Sequence, residues 1–268
     1  MSLFDKKSKE SEKREARLAK RYAHRGFHSK PEIPENSLPA FRRAIEYGFG
    51  SELDVHLIAD GSLVIFHDEK LERQTGAKGE IEDYDITNLR KLRLEGTDEQ
   101  IPTCDEVLDL YENSGLPLVI ELKSSRGNYR ELAEAVCKRL DRYTGDFVVE
   151  SFDPRAMVAV RKLRPEFIRG QLVQNFFRKR EGLPFWQASL LTFLMMNAWV
   201  KPDFIAFRYR DRNSRSLGYS VRKSLKKEGV AAVAWTITKP EDYKDAVKAG
   251  IIPIFEQFDP NELDDNDN

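Results

Sequence analysis

Short apolar runs alternate with helical stretches along most of the chain, and this alternation restricts the fold more than any other feature of the sequence. Eight strands are predicted at residues 22–24, 52–55, 118–122, 147–152, 168–172, 204–207, 231–235 and 251–255. Helices are predicted at residues 38–47, 103–113, 129–143, 154–163, 216–228 and 240–249. The fold class is therefore α/β. Eight such units predict a (β/α)8 TIM barrel, and an open doubly wound sheet is the main alternative on this pattern alone.

A ninth apolar run, residues 63–66, does not fit a parallel unit, because a parallel crossover needs a dozen or more residues. The preceding Asp60-Gly61 is a strong signal for a two-residue hairpin loop, so the run is predicted to return antiparallel. With this dipeptide as the loop, the register places Asp54 opposite His67 on one face of the ladder.

Three carboxylates are candidate ligands for a metal ion. Glu52 and Asp54 lie two residues apart on one predicted strand and so share a face, and Glu121 ends a comparable apolar strand. An isolated Glu-x-Asp would more simply be a pair of exposed polar positions. Carboxylates that converge on one barrel mouth suit one divalent cation, Mg²⁺ or Ca²⁺, because both prefer oxygen ligands. Zinc is disfavoured, since no Cys/His ligand spacing accompanies the acids.

Two histidines and two cations complete the candidate site. His24 and His67 each adjoin a charged residue near a strand end, which favours general acid–base catalysis over a structural role. The sequence does not decide which imidazole is the acid and which the base. Arg25 and Lys123 could hold a phosphate, although a surface salt bridge is the usual alternative for such residues. With a metal ion, these are the parts needed to cut a phosphodiester.

The segments that carry these residues resemble, in their order and joint presence, the glycerophosphodiester phosphodiesterases. The resemblance covers residues 22–172, and a later motif extends it over nearly the whole domain. The matching segments are His24-Arg25-Gly26, Pro34-Glu35-Asn36-Ser37, Ala40-Phe41, Glu52-Leu53-Asp54-Val55, Asp60-Gly61, His67-Asp68, Ile101-Pro102-Thr103, Glu121-Leu122-Lys123, Ser151-Phe152 and Trp235-Thr236.

This resemblance implies a TIM barrel of the phosphatidylinositol-phospholipase-like type and a role for each candidate residue. The implied metal ligands are Glu52, Asp54 and Glu121, the catalytic residues His24 and His67, the phosphate-binding residues Arg25 and Lys123, and the substrate-binding aromatic residue Trp235. The implied reaction is metal-dependent hydrolysis of a small-molecule glycerophosphodiester to sn-glycerol 3-phosphate and an alcohol. A path through a cyclic phosphate, formed by a neighbouring glycerol hydroxyl, stays open.

The chain departs from the family pattern after the last predicted strand. The family usually has a Gly-rich turn and a Thr-Asp there, whereas this chain has Phe255-Glu256-Gln257-Phe258. The departure concerns the shape of the alcohol pocket rather than the phosphate chemistry.

A second departure is an insertion at about residues 176–202, in which residues 183–200 contain no charged side chain. Eighteen residues reach the lower limit for a membrane span, but polar residues and Pro184 interrupt the run, and both flanking strands belong to one barrel. A helix buried between strands is one hypothesis. The other is a lid near lipid, with Trp186 and Trp199 at headgroup level and the basic residues 178–180 beside it. Such a lid would favour lysophospholipase-D-like cleavage of membrane lipid phosphodiesters.

Composition restricts the remaining function classes. The 268 residues fit one domain, and a formal net charge of -1 gives no global attraction to nucleic acid. Cys104 and Cys137 are too few for a disulfide framework and indicate buried thiols in a reducing compartment. An inactive phosphate-ligand-binding barrel is a further alternative, but the complete set of histidines and carboxylates argues against it.

The termini are predicted to lie outside the barrel, which spans residues 21–259. Residues 1–20 form a charged N-terminal helix or tail with no apolar core, so they are not a secretory signal. Residues 260–268 are an acidic tail predicted to be disordered. The predicted location is cytoplasmic, with peripheral contact to the inner face of the membrane through residues 183–200 as an option.

Overall fold

Eight parallel strands form a closed barrel in the computed structural model, which describes residues 21–178, 182–228 and 230–264. The first strand pairs with both the second and the last, which closes the sheet. The strands are β1 (Tyr22–Ala23), β2 (Gly50–Leu57), β4 (Leu118–Leu122), β5 (Phe147–Ser151), β6 (Arg169–Val173), β7 (Phe204–Arg208), β8 (Ala231–Ile237) and β9 (Ile252–Phe255). The predicted TIM barrel is confirmed, and the open sheet is excluded.

The remaining strand, β3 (Leu63–Ile65), returns antiparallel along β2 as the Asp60-Gly61 dipeptide predicted, but the predicted register is wrong by one residue. Val55 pairs with Ile65, and the Phe66 amide donates to the Asp54 carbonyl at 3.0 Å. Asp54 therefore lies opposite Phe66 and not opposite His67.

The shift arises because the hairpin loop has three residues instead of two. The Ile58 amide donates to the Ser62 carbonyl at 3.0 Å, and the Gly61 amide donates back to the Ile58 carbonyl at 2.9 Å. Residues 59–61 therefore form the turn. His67 lies beyond the end of β3 and reaches the barrel mouth from the segment that follows, rather than as a ladder partner of Asp54.

Helices surround the barrel, and the predicted ones differ from the observed ones only at their ends. Side-chain caps set several starts: Thr103 and Glu106 form a capping box, and Asp153 accepts from the Arg155 amide. The helices are α1 (Leu38–Glu46), α2 (Glu72–Thr75), α3 (Ile86–Leu89), α4 (Cys104–Tyr111), α5 (Tyr129–Leu140), α6 (Pro154–Leu163), α7 (Phe185–Thr192), α8 (Asn197–Val200), α9 (Arg215–Glu228), α10 (Pro240–Lys248) and α11 (Asn261–Asp264).

Strand alternation decides which residues face the barrel interior. Apolar side chains from different strands, including Val119, Phe204 and Val233, pack together inside the barrel. Residues two and four positions further along a strand point the same way. The interior row of β4 therefore continues from Val119 to Glu121 and Lys123. Polar groups thus replace apolar ones inside the barrel only at the carboxyl ends of the strands, which is where sites form in this fold.

The predicted apolar insertion folds as the two short helices α7 and α8 between β6 and β7. Ala188 and Val200 are buried, whereas Phe185 and Trp186 are 63% and 61% exposed. The segment is thus neither a fully buried helix nor a fully exposed one. Among the described residues, no helix is long and apolar enough to cross a bilayer.

The chain ends differ in what can be described. The predicted N-terminal tail, residues 1–20, lies outside the described residues. The acidic tail predicted to be disordered begins instead with α11, where Asn261 accepts from Arg21 at 2.8 Å and donates to the Tyr47 carbonyl at 3.2 Å. Residues 265–268 lie outside the description. Both cysteines are free and buried, as predicted.

Candidate active site

A cleft of about 1380 Å³ opens at the carboxyl ends of the strands. Five of the eight predicted site residues line it directly: His24, Arg25, His67, Lys123 and Trp235. The three predicted metal ligands lie immediately behind them. The tertiary structure therefore brings the whole predicted set to one place.

The three acids form a compact, buried cluster. One carboxylate oxygen from each of Glu52, Asp54 and Glu121 lies within 4.8 Å of the other two. Burial and the charges of Asp54 and Glu121 raise the pKa of Glu52 well above its usual value. Burial raises the pKa of Glu121 to about 7, although Lys123 opposes the shift. The three buried carboxylates repel one another, and a bound cation would offset this repulsion.

Asp54 is the member of the cluster held ionised. Burial would raise its pKa, but the charges of Lys123 and Arg25 hold the pKa below the usual range. The Asn36 amide donates to Asp54 Oδ2 at 2.8 Å and adds to this effect. Lys123 Nζ lies 3.4 Å from Asp54 Oδ1. Asn36 belongs to the Pro-Glu-Asn motif, and through this hydrogen bond it orients a candidate metal ligand.

His67 is tethered by the residue that follows it. Its Nδ1 lies 2.6 Å from Asp68 Oδ1, so an Nδ1–H donates to the carboxylate and Nε2 keeps its lone pair. Burial lowers the pKa of His67 to about 4, with Asp54 opposing and Lys123 reinforcing the shift. The imidazole is therefore neutral at pH 7 and can accept a proton.

His24 is tethered in the same way from the far end of the chain. Its Nδ1 lies 2.7 Å from Glu256 Oε2, and its Nε2 lies 3.9 Å from Glu52 Oε2. Burial and the neighbouring Arg25 lower the pKa of His24, while Glu256 opposes the shift. Glu256 was not among the predicted site residues. The signal that could have found it is a carboxylate directly after the last apolar strand, the same signal that found Glu121.

Arg25 owes its position to an unusual backbone. Arg25 and Gly26 both have positive φ, at 55° and 79°. A Cβ on Gly26 would lie 2.8 Å from Ala40 Cβ, so only glycine fits against α1. This bend lets the Arg25 amide donate to Glu52 at 3.1 Å while its guanidinium donates to Glu35 at 2.7 Å.

Lys123 is also paired with the acids rather than with solvent. Its Nζ lies 3.1 Å from Glu121 Oε1, and the carboxylates of Glu121 and Asp54 raise its pKa against the effect of burial. The alternative of a surface salt bridge does not apply, because the Lys123 side chain is only 16% exposed.

Glu150 is a further buried acid that the sequence analysis did not single out. It pairs with Glu121 across β4 and β5, and its Oε2 has no hydrogen-bond partner among the described residues. Burial, then the charge of Glu121, raises its pKa well above the usual value. Its position two residues before Phe152 places it on an interior row, which is the signal that could have identified it.

An aromatic wall lies beside the cleft. The Trp235 and Phe152 rings pack edge to face, with their centroids 5.5 Å apart. The Trp235 Nε1 donates to the Ala206 carbonyl at 3.2 Å. Both rings line the cleft. By contrast, none of the described lining residues comes from residues 182–200, so the described part of the apolar insertion stands beside the mouth and not over it.

Known proteins resemble this chain in both sequence and structure. A glycerophosphodiester phosphodiesterase from Caldanaerobacter subterraneus subsp. tengcongensis is 30% identical over 254 residues, which cover 90% of this chain and 94% of that protein. A phosphodiesterase from Oleispira antarctica, solved with the product sn-glycerol-3-phosphate, has a TM-score of 0.74 at 25% identity, covering 93% of this chain and 97% of that one.

A third relative is the glycerophosphodiester phosphodiesterase of Thermotoga maritima, with a TM-score of 0.68 at 28% identity over 92% of this chain and 97% of that one. The sequence pattern of the Glycerophosphoryl diester phosphodiesterase family matches residues 24–258. Barrel, clustered acids and sequence pattern agree, and the chain belongs to the glycerophosphoryl diester phosphodiesterase family, as its motifs predicted.

Proposed function

We propose that this protein hydrolyses glycerophosphodiesters to sn-glycerol 3-phosphate and an alcohol, with the help of one divalent cation. The observation that carries the proposal is the cluster of Glu52, Asp54 and Glu121 next to two carboxylate-tethered imidazoles in one cleft. Family membership and the product complex of the Oleispira antarctica enzyme support the choice of substrate.

The donor set fits a hard cation. Glu52, Asp54 and Glu121 offer only oxygen, and their burial together makes the cluster costly without positive charge. Mg²⁺ and Ca²⁺ both take such ligands. When bound, the cation supplies Lewis-acid polarisation of a phosphoryl oxygen.

The two imidazoles are suited to move protons. In each imidazole, Nδ1–H donates a hydrogen bond to a carboxylate, so Nε2 is the proton-accepting atom. The carboxylate also stabilises the imidazolium once it forms. One of His24 and His67, in its neutral form, takes the proton of the attacking hydroxyl at Nε2. The other, in the imidazolium form that its carboxylate partner stabilises, gives its Nε2 proton to the leaving alcohol. Arg25 and Lys123, already positioned by their carboxylate partners, contact the phosphate and offset the charge that grows on its oxygens.

A metal-by-substrate activity panel tests the proposal. Purified protein should turn over glycerophosphocholine with added Mg²⁺ or Ca²⁺, and EDTA should abolish turnover. His67→Ala should lower kcat by about 10²- to 10⁴-fold, on the scale for loss of an acid–base group. The exposed Lys70→Ala is the matched control. Undiminished activity of His67→Ala would overturn its role, and a chain that binds but never cleaves any diester would be an inactive barrel instead.

A second candidate, cleavage of lysophospholipids at a membrane surface, is favoured by an exposed aromatic patch. The patch consists of Phe185, Trp186, Phe193, Met195, Trp199 and Tyr219. Each of these side chains is at least 43% exposed, with Trp186 at 61% and Trp199 at 58%. Phe193, Met195 and Tyr219 line one surface depression, and clustered exposed apolar side chains mark interaction sites.

Charge around the aromatic patch indicates an anionic bilayer as the partner. Residues 182–201 contain no Asp or Glu, while Arg178, Lys201 and Lys223 are exposed around the patch. Aromatic and basic side chains together are typical of an interfacial surface. Phe177 contacts the patch residues Phe185 and Phe193.

An aromatic path joins the patch to the cleft. Next to Phe177, Phe176 contacts Phe152 at 6.1 Å, and Phe152 contacts Trp235 in the cleft wall. The patch and the cleft wall are thus linked through the neighbouring residues Phe176 and Phe177. The same surface supports peripheral contact of the protein with a membrane.

Liposome co-sedimentation tests this candidate. Wild-type protein should sediment with vesicles containing phosphatidylglycerol, and Trp186→Ser/Trp199→Ser should lose about tenfold or more in binding. Val247→Ser, which removes a 52% exposed apolar side chain from α10, is the matched control. Absence of vesicle binding by wild-type protein, or a concentration-dependent dimer through the patch, would remove the membrane version and leave the water-soluble substrate.

A further inference from the structure

Arg208 lies in the cleft, and its position follows from the pattern of β7. Phe204 and Ala206 face the barrel interior, so Arg208, the next residue of that row, faces the mouth. In the closed strand order, β7 is four strands from β2 in either direction. Arg208 therefore stands across the mouth from Glu52 and Asp54, apart from the site proposed for the phosphate and the cation.

The Arg208 guanidinium is half-buried and has no acidic partner among the described residues. Its Nη1 donates to Gln174 Oε1 at a long 3.4 Å, and no ion pair of Arg208 occurs within residues 21–178, 182–228 and 230–264. By contrast, Arg25 and Lys123 contact carboxylates, and Arg212 contacts Asp242 at 3.3 Å. Arg208 is half-buried, so its charge lacks both full hydration and a counter-ion.

Two further cations extend this side of the cleft. Arg210 and Lys239 line it, are exposed, and make no ion pair within the described part of the chain. Acids line the cleft as well, and Asp242 on this side pairs with Arg212. Arg208, Arg210 and Lys239 are therefore the cations of this wall that lack an acidic partner among the described residues. The glycerol part of the substrate carries no charge, so the electrostatic complement of these cations is a negative group on the leaving alcohol.

We propose that Arg208 selects glycerophosphodiesters whose leaving alcohol carries its own anionic group, a carboxylate or a second phosphate. The proposal rests on the proposed function and names its substrate class. The planar fork of arginine binds carboxylate and phosphate oxygens two at a time, and Gln174 holds the fork toward the mouth. Arg210 and Lys239 steer the same group without fixed contacts.

A matched pair of substrates isolates the effect. Glycerophosphoserine and glycerophosphoethanolamine differ by one carboxylate on the leaving alcohol. Wild-type protein should prefer the serine diester, and Arg208→Gln should lower kcat/KM for it by about 10- to 100-fold, the scale of a charge-assisted hydrogen bond. The loss should fall mainly in KM, because the contact exists before and during reaction. The ethanolamine diester should change less than about twofold.

Two controls complete the design. Arg208→Lys should keep part of the preference, because it retains charge without the fork, and the exposed Arg142→Gln should leave both substrates unchanged. Equal losses on both substrates would overturn the proposal by assigning Arg208 to the phosphate or glycerol that they share. Equal use of both diesters by wild-type protein would also overturn it while leaving the proposed function intact. Turnover of neither diester would instead count against the proposed function itself.

Discussion

Carboxylates position the working side chains of this cleft one by one. Asp68 holds His67, Glu256 holds His24, and Glu35 holds Arg25. Each contact fixes a tautomer or an orientation before substrate arrives, so little reorganisation is left for the reaction. Glu256 is the informative case, because its partner is 232 residues away in the chain.

Glu256→Gln should expose this positioning role. The amide oxygen of glutamine can still accept from His24 Nδ1, but it carries no negative charge. The imidazolium of His24 therefore loses its electrostatic stabilisation. We expect kcat to fall by at least about tenfold, but by less than the about 10²- to 10⁴-fold expected for removing the imidazole itself. Glu256→Asp should restore part of the rate. A pH–rate profile identical to wild type would contradict the role.

Glu52→Gln tests the buried acids, with effects of opposite sign. Burial and like charge raise the pKa of Glu52 because its ionised form is unfavourable, so a neutral amide should raise the melting temperature of the metal-free protein. The same change should weaken the rise in melting temperature on adding Mg²⁺ or Ca²⁺ and lower activity. Differential scanning fluorimetry with and without EDTA measures both effects. An unchanged metal response would remove Glu52 from the proposed ligands.

At the level of elements, the bend after β1 couples the barrel to α1. Gly26 lies against Ala40 of α1, and Asn36, which precedes the α1 cap, reaches Asp54 on β2. The first βα unit therefore fixes both Arg25, which is proposed to bind the phosphate, and one candidate metal ligand. The motif His-Arg-Gly is a packing requirement as much as a chemical one.

Gly26→Ala should destabilise the fold more than Gly48→Ala. Both glycines have φ above 70°, so both substitutions cost about 1 kcal/mol through backbone strain. Only at Gly26 does the new Cβ meet Ala40, at 2.8 Å, whereas nothing lies within 4 Å at Gly48. Overpacking should add about 1–3 kcal/mol to the loss in the free energy of unfolding. Urea denaturation of both variants measures the difference, and equal losses would contradict the close packing.

The whole molecule should be sensitive to acid through Glu35. Arg25, Lys30 and Arg73 all lie within 2.8 Å of its carboxylate and hold its pKa below the ordinary value of 4.5 despite burial. Because the folded pKa is lowered, the stabilisation is complete above pH 4.5 and is lost as pH falls toward the folded pKa. Glu35→Gln should therefore be less stable at pH 7 and lose less stability on acidification. Urea unfolding at pH 7 and pH 3.5 measures this, and parallel losses would refute it.

The sequence by itself determined the elements and the chemistry of this protein. The alternation of apolar runs with helical stretches predicted an α/β fold, and the family resemblance favoured the TIM barrel over an open sheet. Glu52, Asp54 and Glu121 were identifiable because acids on apolar strands of a barrel can meet at its mouth. Motif order predicted the family. The elements could be predicted because strand period and hydrophobic pattern are local properties that can be read from neighbouring residues of the sequence.

Only the tertiary structure decided the partners. The hairpin register depended on a three-residue loop, in which two backbone hydrogen bonds form and the Asp60 carboxylate accepts from the Ser62 amide at 3.0 Å, so Asp54 faces Phe66 and not His67. Glu256 meets His24 because ring closure brings together strands that are distant in the chain, and Arg208 faces the mouth with no carboxylate partner in the part of the chain that the structure describes. Pairing across a closed sheet depends on the whole chain, so no single segment of the sequence specifies it.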